Sequence, residues 1–291
     1  MTTTETTRSH SSLPPGPSAR GPVVLVGGAG KTGARVAAGL ASLGVPTRVA
    51  SRSGAVRFDW DDRSTWDAAL DGAGAAYVAF APDLALPGAD ASVHELATRA
   101  ARHGVHRVVL LSGRGEEGAR RAEEALLSVL PSATVVRCAW FAQNFSEGML
   151  RPAVLDGVIA LPAPPSLAEP FVDADDIAAV AVRALSTPGL EGRVLELTGP
   201  RAVPLAEAAA VLARASGRAV EYAEVSPAAF SAGAVAAGML PGEADALAEL
   251  FAEVLDGRNE QTTGTVREVL GREARSLEQF AADAAAAGAW R

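Results

Sequence analysis

The stretch Val23–Gly33, VVLVGGAGKTG, constrains the fold more than any other part of the chain. An apolar, β-branched run ends in glycines at Gly27, Gly30 and Gly33, and an amphipathic stretch from Thr32 to Leu43 follows. The GKT triplet invites an ATP-type P-loop. That loop places a glycine five residues before the one preceding lysine, so that enough backbone N–H groups wrap the phosphates. Leu25 stands there instead. What remains is GxxGxxG between a strand and a helix. Such glycines close a tight turn, let backbone approach a pyrophosphate and let helix pack on strand, with the anion at the helix N-terminus. The chain is therefore expected to open with a dinucleotide-binding unit.

Apolar runs go on alternating with Ala- and Leu-rich helical patterns. Strands are expected at 22–27, 46–51, 55–58, 75–80, 106–112 and 133–138, and helices at 32–43, 64–71, 90–103 and 116–130. This alternation predicts an α/β fold with a doubly wound parallel sheet, the Rossmann arrangement. Beyond 140 it loosens. Leu161–Pro170 reads as a proline-rich loop, too poor in donors for a sheet interior. In FVDADDIAAVAVRAL, Asp173 or Asp175 is the candidate N-cap and Asp176 a first-turn residue rather than a catalyst. The Ala-rich last ninety or so residues are expected to be mostly helical and to wall a substrate pocket at the carboxyl edge of the sheet. The predicted organisation is a disordered tail over 1–20, a nucleotide-binding Rossmann domain over 21–155, and a small, mainly helical C-terminal region over 156–291. That last region is expected to complete the sheet and form the substrate pocket.

Composition narrows the partners. A net charge of −8 without any basic run argues against nucleic acid and anionic membrane surfaces. No apolar run approaches the roughly 18 residues of a spanning helix, and the first twenty residues lack the apolar core of a secretory signal. The single cysteine, Cys138, lies in the apolar run ATVVRCAW; it reads as a buried structural thiol and fits a reducing cytoplasm. No Cys/His spacing suits a metal, and His94, His103 and His106 flank a helix end as solvated or capping groups. The expectation is a cytoplasmic monomer or homodimer acting on a small molecule. Abundant alanine, arginine and glycine with one lysine suits a GC-rich bacterial genome.

In a dinucleotide fold the tip of the second strand meets the adenosine ribose. An acidic residue there bonds a free 2′-hydroxyl, whereas arginine favours a 2′-phosphate. Here the strand reads TRVASRSG and ends in Ser51, Arg52 and Ser53 with no carboxylate. A guanidinium fork and two hydroxyls suit a phosphate dianion, so NADP(H) is expected over NAD(H); the alternative is a solvated turn arginine. After the third strand, Asp59 is either an acceptor for the adenine amino group, with Trp60 beside it, or a plain turn former.

Many small reductases of this fold use a tyrosine and a lysine four residues apart to protonate a carbonyl. The only lysine here is Lys31, in the glycine loop, and neither Tyr77 nor Tyr222 has a lysine at that spacing. Hydride transfer to a ketone needs help with the developing alkoxide, but an iminium carbon accepts hydride without a proton donor. An iminium, quinone or conjugated enone therefore suits this chain better than a simple ketone.

The blocks VGGAGKTGARVA, VASRSG with RFDWDD, VVLLSG, AEEALL, VVRCAWFAQNFSEGM, FVDADDIAAVA and LELTGP run in order from about 22 to 200. Together they resemble the NmrA-like, atypical short-chain dehydrogenase/reductase family, and within it the ergot-alkaloid agroclavine dehydrogenase and festuclavine synthase type. The resemblance implies NADPH/NADP+ as cofactor and reduction of an iminium or related C=N or C=C bond in specialised metabolism. It places Gly27, Gly30, Lys31, Thr32 and Gly33 in the pyrophosphate loop, Ser51 and Arg52 at the 2′-phosphate, and Asp59 and Trp60 at the adenine edge. Ala79, Phe80, Ala81 and Pro82 fall on the nicotinamide side. Ser112 takes the fifth-strand position where relatives often carry an active-site hydroxyl. Trp140, Phe141 and Asn144 match a segment that lines the inner pocket, Trp140 and Phe141 as substrate contacts. Ser112, Arg114 and Asn144 are the candidates to polarise or position substrate. The family also contains redox-sensing regulators and proteins that use the cofactor for cyclisation or isomerisation, and fold alone does not separate these.

Overall fold

The computed structural model describes residues 21–291, so the polar tail expected at 1–20 lies outside the described residues. The first strand, β1 (Val23–Val26), is buried along its whole length. A strand covered on both faces reads as a continuous apolar run. Val23 and Leu25 face one helical layer while Val24 and Val26 face the other, as the two-residue period of a strand requires.

Helix α1 (Lys31–Ser42) follows, then β2 (Thr47–Ser51), β3 (Val56–Arg57), α2 (Trp66–Leu70), β4 (Ala75–Val78), α3 (Ala89–Arg102), β5 (Val108–Gly113), α4 (Glu117–Val129) and β6 (Thr134–Cys138). Every expected strand and helix up to residue 138 forms, the one at 64–71 entering through a 3-10 turn over Arg63–Thr65. Beyond lie α5 (Arg151–Asp156), β7 (Val158–Leu161), β8 (Ala168–Glu169), α6 (Ala174–Ser186) and β9 (Val194–Leu197). The chain then runs through β10 (Val203–Pro204), α7 (Leu205–Ser216), β11 (Glu221–Glu224), α8 (Pro227–Ala236), α9 (Pro241–Val254), α10 (Thr265–Leu270) and α11 (Leu277–Ala286).

The main sheet has the order β3-β2-β1-β4-β5-β6-β9, with neighbours parallel throughout. The chain winds outward from β1, returns, and winds the other way from β4. A crevice opens at that reversal, beyond the carboxyl ends of β1 and β4, where open α/β sheets bind ligands. Helices α1 and α6 cover one face through Val36, Leu40, Ile177 and Val180. Helices α2, α3 and α4 cover the other through Leu70, Leu96 and Leu126.

A second apolar core gathers α5, α7, α9 and α11 around Phe145, Phe171, Leu212 and Phe251. It is less purely helical than expected. Two ribbons, β7 with β11 and β8 with β10, stand apart from the main sheet, and β8 emerges from the end of the proline-rich stretch. A two-residue ribbon needs few donors, so the prolines around it are tolerated. Helix α6 starts as its acidic residues suggest: Asp173 is the N-cap and accepts from the Asp175 backbone N–H at 2.9 Å. The same carboxylate accepts from Gln143 Nε2 and Arg275 Nε, both at 2.7 Å, and fastens the two cores together. No helix among the described residues is long and apolar enough to cross a membrane.

Candidate active site

The three glycines of the first turn meet three different demands. Gly27 has φ +78°, a left-handed backbone that β-carbon-bearing residues avoid. At Gly33 an added Cβ would lie 2.3 Å from the Gly27 carbonyl oxygen and 2.7 Å from Gly28 Cα, so only glycine lets α1 sit this close to the turn. At Gly30 a Cβ would meet nothing of the protein nearer than Gly27 O at 3.3 Å. The outer face of the turn is open there, at the start of a helix whose N-cap, Gly30, makes no side-chain cap. Orphan first-turn N–H groups and the positive end of the helix dipole make that face an anion cradle. Its geometry fits a dinucleotide pyrophosphate.

Ser51 ends β2 with Arg52 exposed beyond it. Asp59 is engaged in a turn: its Oδ1 accepts from Asp61 N–H at 3.2 Å, its carbonyl from Trp66 Nε1 at 2.6 Å. Trp60 packs 4.5 Å from the Phe80 ring centroid, so the 59–60 and 79–82 segments, separate in sequence, share one apolar wall.

Behind the crevice lies a cavity of about 500 Å³, within the range of small-molecule sites. Its wall takes Lys31 from the glycine turn, Phe80 and Pro82 after β4, Ser112 and Arg114 at the end of β5, and Trp140, Phe141 and Asn144 after β6. The far side is closed by Leu247, Leu250, Phe251 and Val254 of α9. Trp140 is held by ring contacts to Phe251 and Phe171, with centroids 5.4 and 5.7 Å away.

The polar atoms of this wall differ in what they have free. Ser112 Oγ donates to Glu123 Oε1 at 2.5 Å, and Glu123 is itself buried and paired with Arg137. Arg114 donates to the carbonyls of Asn259 and Gln261, at 3.1 and 2.6 Å, and so holds the loop after α9. Asn144 Oδ1 accepts from Lys31 Nζ at 2.8 Å. Burial holds Lys31 below the ordinary lysine range, with Glu147 opposing the shift. Cys138 also reaches the cavity, but it is almost wholly buried and burial pushes its thiol up, so it stays protonated and inert.

Neither tyrosine lines the cavity. Tyr77 donates to Thr32 Oγ1 at 2.8 Å inside the core, where burial raises it far above the ordinary phenol range. Tyr222 donates to the Ala163 carbonyl at 2.6 Å.

Sequence reasoning missed three carboxyl groups in the same wall: Asp83, Glu116 and Glu169. Burial raises Asp83. Burial pushes Glu116 up to about 8, with Asp83 and Glu253 adding to the effect. Burial likewise pushes Glu169 up to about 8; Arg114 opposes, while Glu260 and Asp256 add. The one signal for Glu169 was a lone acid between apolar neighbours in SLAEPFV.

No family model matches the chain. YesF, an oxidoreductase of Bacillus subtilis, is 33% identical over 285 residues, covering 91% of this chain and 96% of its own. Agroclavine dehydrogenase of Claviceps fusiformis is 29% identical over 293 residues, covering 90% and 96%. Among solved structures, the NADPH-dependent quinone oxidoreductase of Escherichia coli, complexed with NADPH, superposes with a TM-score of 0.76. It is 22% identical and covers 90% of this chain and 99% of that one, a likeness of fold.

Proposed function

The chain belongs to the NmrA-like, atypical short-chain dehydrogenase/reductase family, and from that premise we propose that it is an NADPH-dependent reductase. Its substrate would be a small, cyclic molecule of specialised metabolism bearing an activated C=N, C=C or quinone system. The observation that carries this reading is the adjacency of an open anion cradle at Gly30 to an aromatic-walled cavity that no tyrosine enters.

When bound, NADPH supplies hydride. The glycine turn and the start of α1 would hold the pyrophosphate, with Gly27, Gly30, Thr32 and Gly33 shaping the cradle. Ser51 and Arg52 would hold the 2′-phosphate and Trp60 the adenine edge, with Asp59 shaping that turn. Ala79, Phe80, Ala81 and Pro82 would flank the nicotinamide. Trp140 and Phe141 would orient a flat acceptor and exclude water, and orientation of this kind supplies much of a hydride-transfer rate. Asn144, whose Oδ1 is taken by Lys31, keeps its amide NH₂ as a donor toward substrate. Ser112 and Arg114 would act by fixing the cavity floor through Glu123 and the Asn259–Gln261 loop.

Titration with NADPH and NADH, followed by nicotinamide fluorescence, tests the cofactor site. Consumption of NADPH with menadione or an N-methylpyrrolinium salt tests the chemistry. Tight NADPH binding without consumption by either acceptor would favour a redox-sensing regulator. Turnover that requires NADPH yet leaves it unconsumed would favour a cyclase or isomerase. Failure to bind either nucleotide would remove all three readings.

A further inference from the structure

Glu169 ends β8, where its residue pairs with Val203 of β10, and only 2% of it is exposed. Glu169 is among the residues that line the cavity, and its Oε1 is buried with no hydrogen-bond partner among the described residues. An ionised carboxylate in such a place is expensive unless it is paired and hydrogen-bonded. The charged groups around it do not pair it. Asp256 and Glu260, in the loop after α9, are negative. Arg114, at the end of β5, is the sole cation of the set, and its guanidinium is engaged with Asn259 O, Gln261 O and, at 3.5 Å, Glu196. The neutral acid is the form this environment favours, and a neutral acid has an unspent O–H to donate, here at a residue that lines the cavity.

We propose that Glu169 is the proton donor of the cavity, giving its carboxyl proton to the nitrogen or oxygen terminus of a neutral conjugated acceptor as hydride reaches the acceptor carbon. The step rests on the reductase reading above. The hydride electron pair forms the new C–H bond, the π pair moves to the heteroatom, and that atom takes the proton from Glu169. The acceptor is reduced by two electrons, NADPH is oxidised to NADP+, and Glu169 is left as a carboxylate that regains a proton from water between turnovers. Glu169 would thus do for a quinone or enone what neither tyrosine is placed to do. A permanently cationic iminium needs no such proton, so the residue would divide the substrates of one cavity into two classes.

Two measurements on Glu169→Gln test this. The first needs no turnover. Infrared difference spectra of unsubstituted protein against the variant should show the carbonyl stretch of a protonated carboxyl group at neutral pH, giving way to carboxylate as pH rises through about 8. The second compares acceptors. With menadione, kcat of the unsubstituted protein should hold at lower pH and fall as pH rises through that range. In Glu169→Gln it should drop on the order of 100-fold and lose that limb, as removal of a general acid does. With an N-methylpyrrolinium salt the two proteins should agree within about threefold. Glu169→Asp, which keeps an acid, should recover part of the menadione rate and its alkaline limb. Equal menadione rates with the same limb in both proteins, or no protonated-carboxyl band in the difference spectrum, would overturn the assignment. NADPH consumption by neither acceptor in the unsubstituted protein would overturn the reductase reading and the donor role with it.

Discussion

At the glycine turn, position is set by backbone. Gly27 has a left-handed φ, Gly33 leaves no room for a Cβ 2.3 Å from the Gly27 carbonyl, and Gly30 keeps the outer face of the turn open to a ligand. In the cavity, position is set by side chains that arrive from β5, β6, β8 and α9 and meet only in the folded molecule. The two regions should therefore fail differently. A small change at the turn moves backbone, and with it both fold and cofactor affinity. A small change in the cavity wall can alter chemistry while the fold stands.

The sharpest way to break this comparison is Gly33→Ala. Its Cβ would press on the Gly27 carbonyl and Gly28 Cα, atoms that cannot step aside without dislodging α1. A loss of about 3 kcal/mol in stability is expected from such overpacking, read by urea denaturation, together with loss of measurable NADPH binding. Gly30→Ala is the milder partner, since its Cβ would meet only the Gly27 carbonyl oxygen, at a tight 3.3 Å. It should lose about 1 kcal/mol of stability or less, through that contact and the poorer alanine N-cap, yet bind NADPH on the order of 10-fold more weakly, because backbone approach to a pyrophosphate is what that glycine permits. Normal NADPH affinity in Gly30→Ala would mean the ligand does not lie on the turn.

Asp173→Ala tests the join between the regions. This buried carboxylate holds Gln143, the Asp175 N–H and Arg275 at once. Removing one partner of a buried pair typically costs about 3 kcal/mol, here slightly less because Arg275 is half-buried and can rehydrate. The C-terminal core should loosen first, seen as early hydrogen exchange in α11, while NADPH affinity changes by less than about threefold. Simultaneous loss of both would show that the cradle depends on the second core.

How much of this was legible in the sequence follows the same division. The glycine turn, the strands and helices up to β6 and an acidic N-cap for α6 at Asp173 or Asp175 were legible because each is a local demand: a φ angle, a two-residue alternation, a side chain reaching its own next turn. The cavity was legible only in part. Phe80, Trp140, Phe141 and Asn144 sit just past strand ends, where a doubly wound sheet puts its ligand. Phe251 lies in an Ala-rich helix with no local signature and Glu169 in a proline-rich loop where a lone acid among apolar neighbours is the one signal; both reach the cavity only through the docking of α9 and the β8–β10 ribbon. Asp59 shows the limit from the other side. Both of its readings use the same short acid after a strand, and the turn bonds to Asp61 and Trp66 come from residues that sequence alone cannot weigh against a nucleotide.

Arg52→Ala is milder, because the residue is exposed and nothing of the fold rests on it. Losing a charge-assisted contact to a 2′-phosphate should weaken NADPH by about 2 kcal/mol and leave NADH unchanged. Parallel fluorescence titrations read the ratio directly. Equal losses for both nucleotides would make Arg52 a general electrostatic contributor, and no loss for either would return it to a solvated turn residue.

The smallest effect is expected at Ser112, although its strand-end position makes it the most tempting catalyst. Its hydroxyl hydrogen already belongs to Glu123, and Glu123 keeps a second bond from Arg137 Nε at 2.9 Å when the serine is gone. Ser112→Ala therefore leaves no unpaired buried carboxylate. The expected loss is about 1 kcal/mol of stability, the net value of one ordinary buried hydrogen bond, with kcat/KM for menadione within about threefold of the unsubstituted protein. A fall of kcat by about 100-fold at unchanged stability would reverse this. The serine would then have to leave Glu123 when substrate arrives, and the Ser112–Glu123 pair, with Arg137 holding Glu123 in place, would act on the substrate from the cavity wall rather than brace it from beneath.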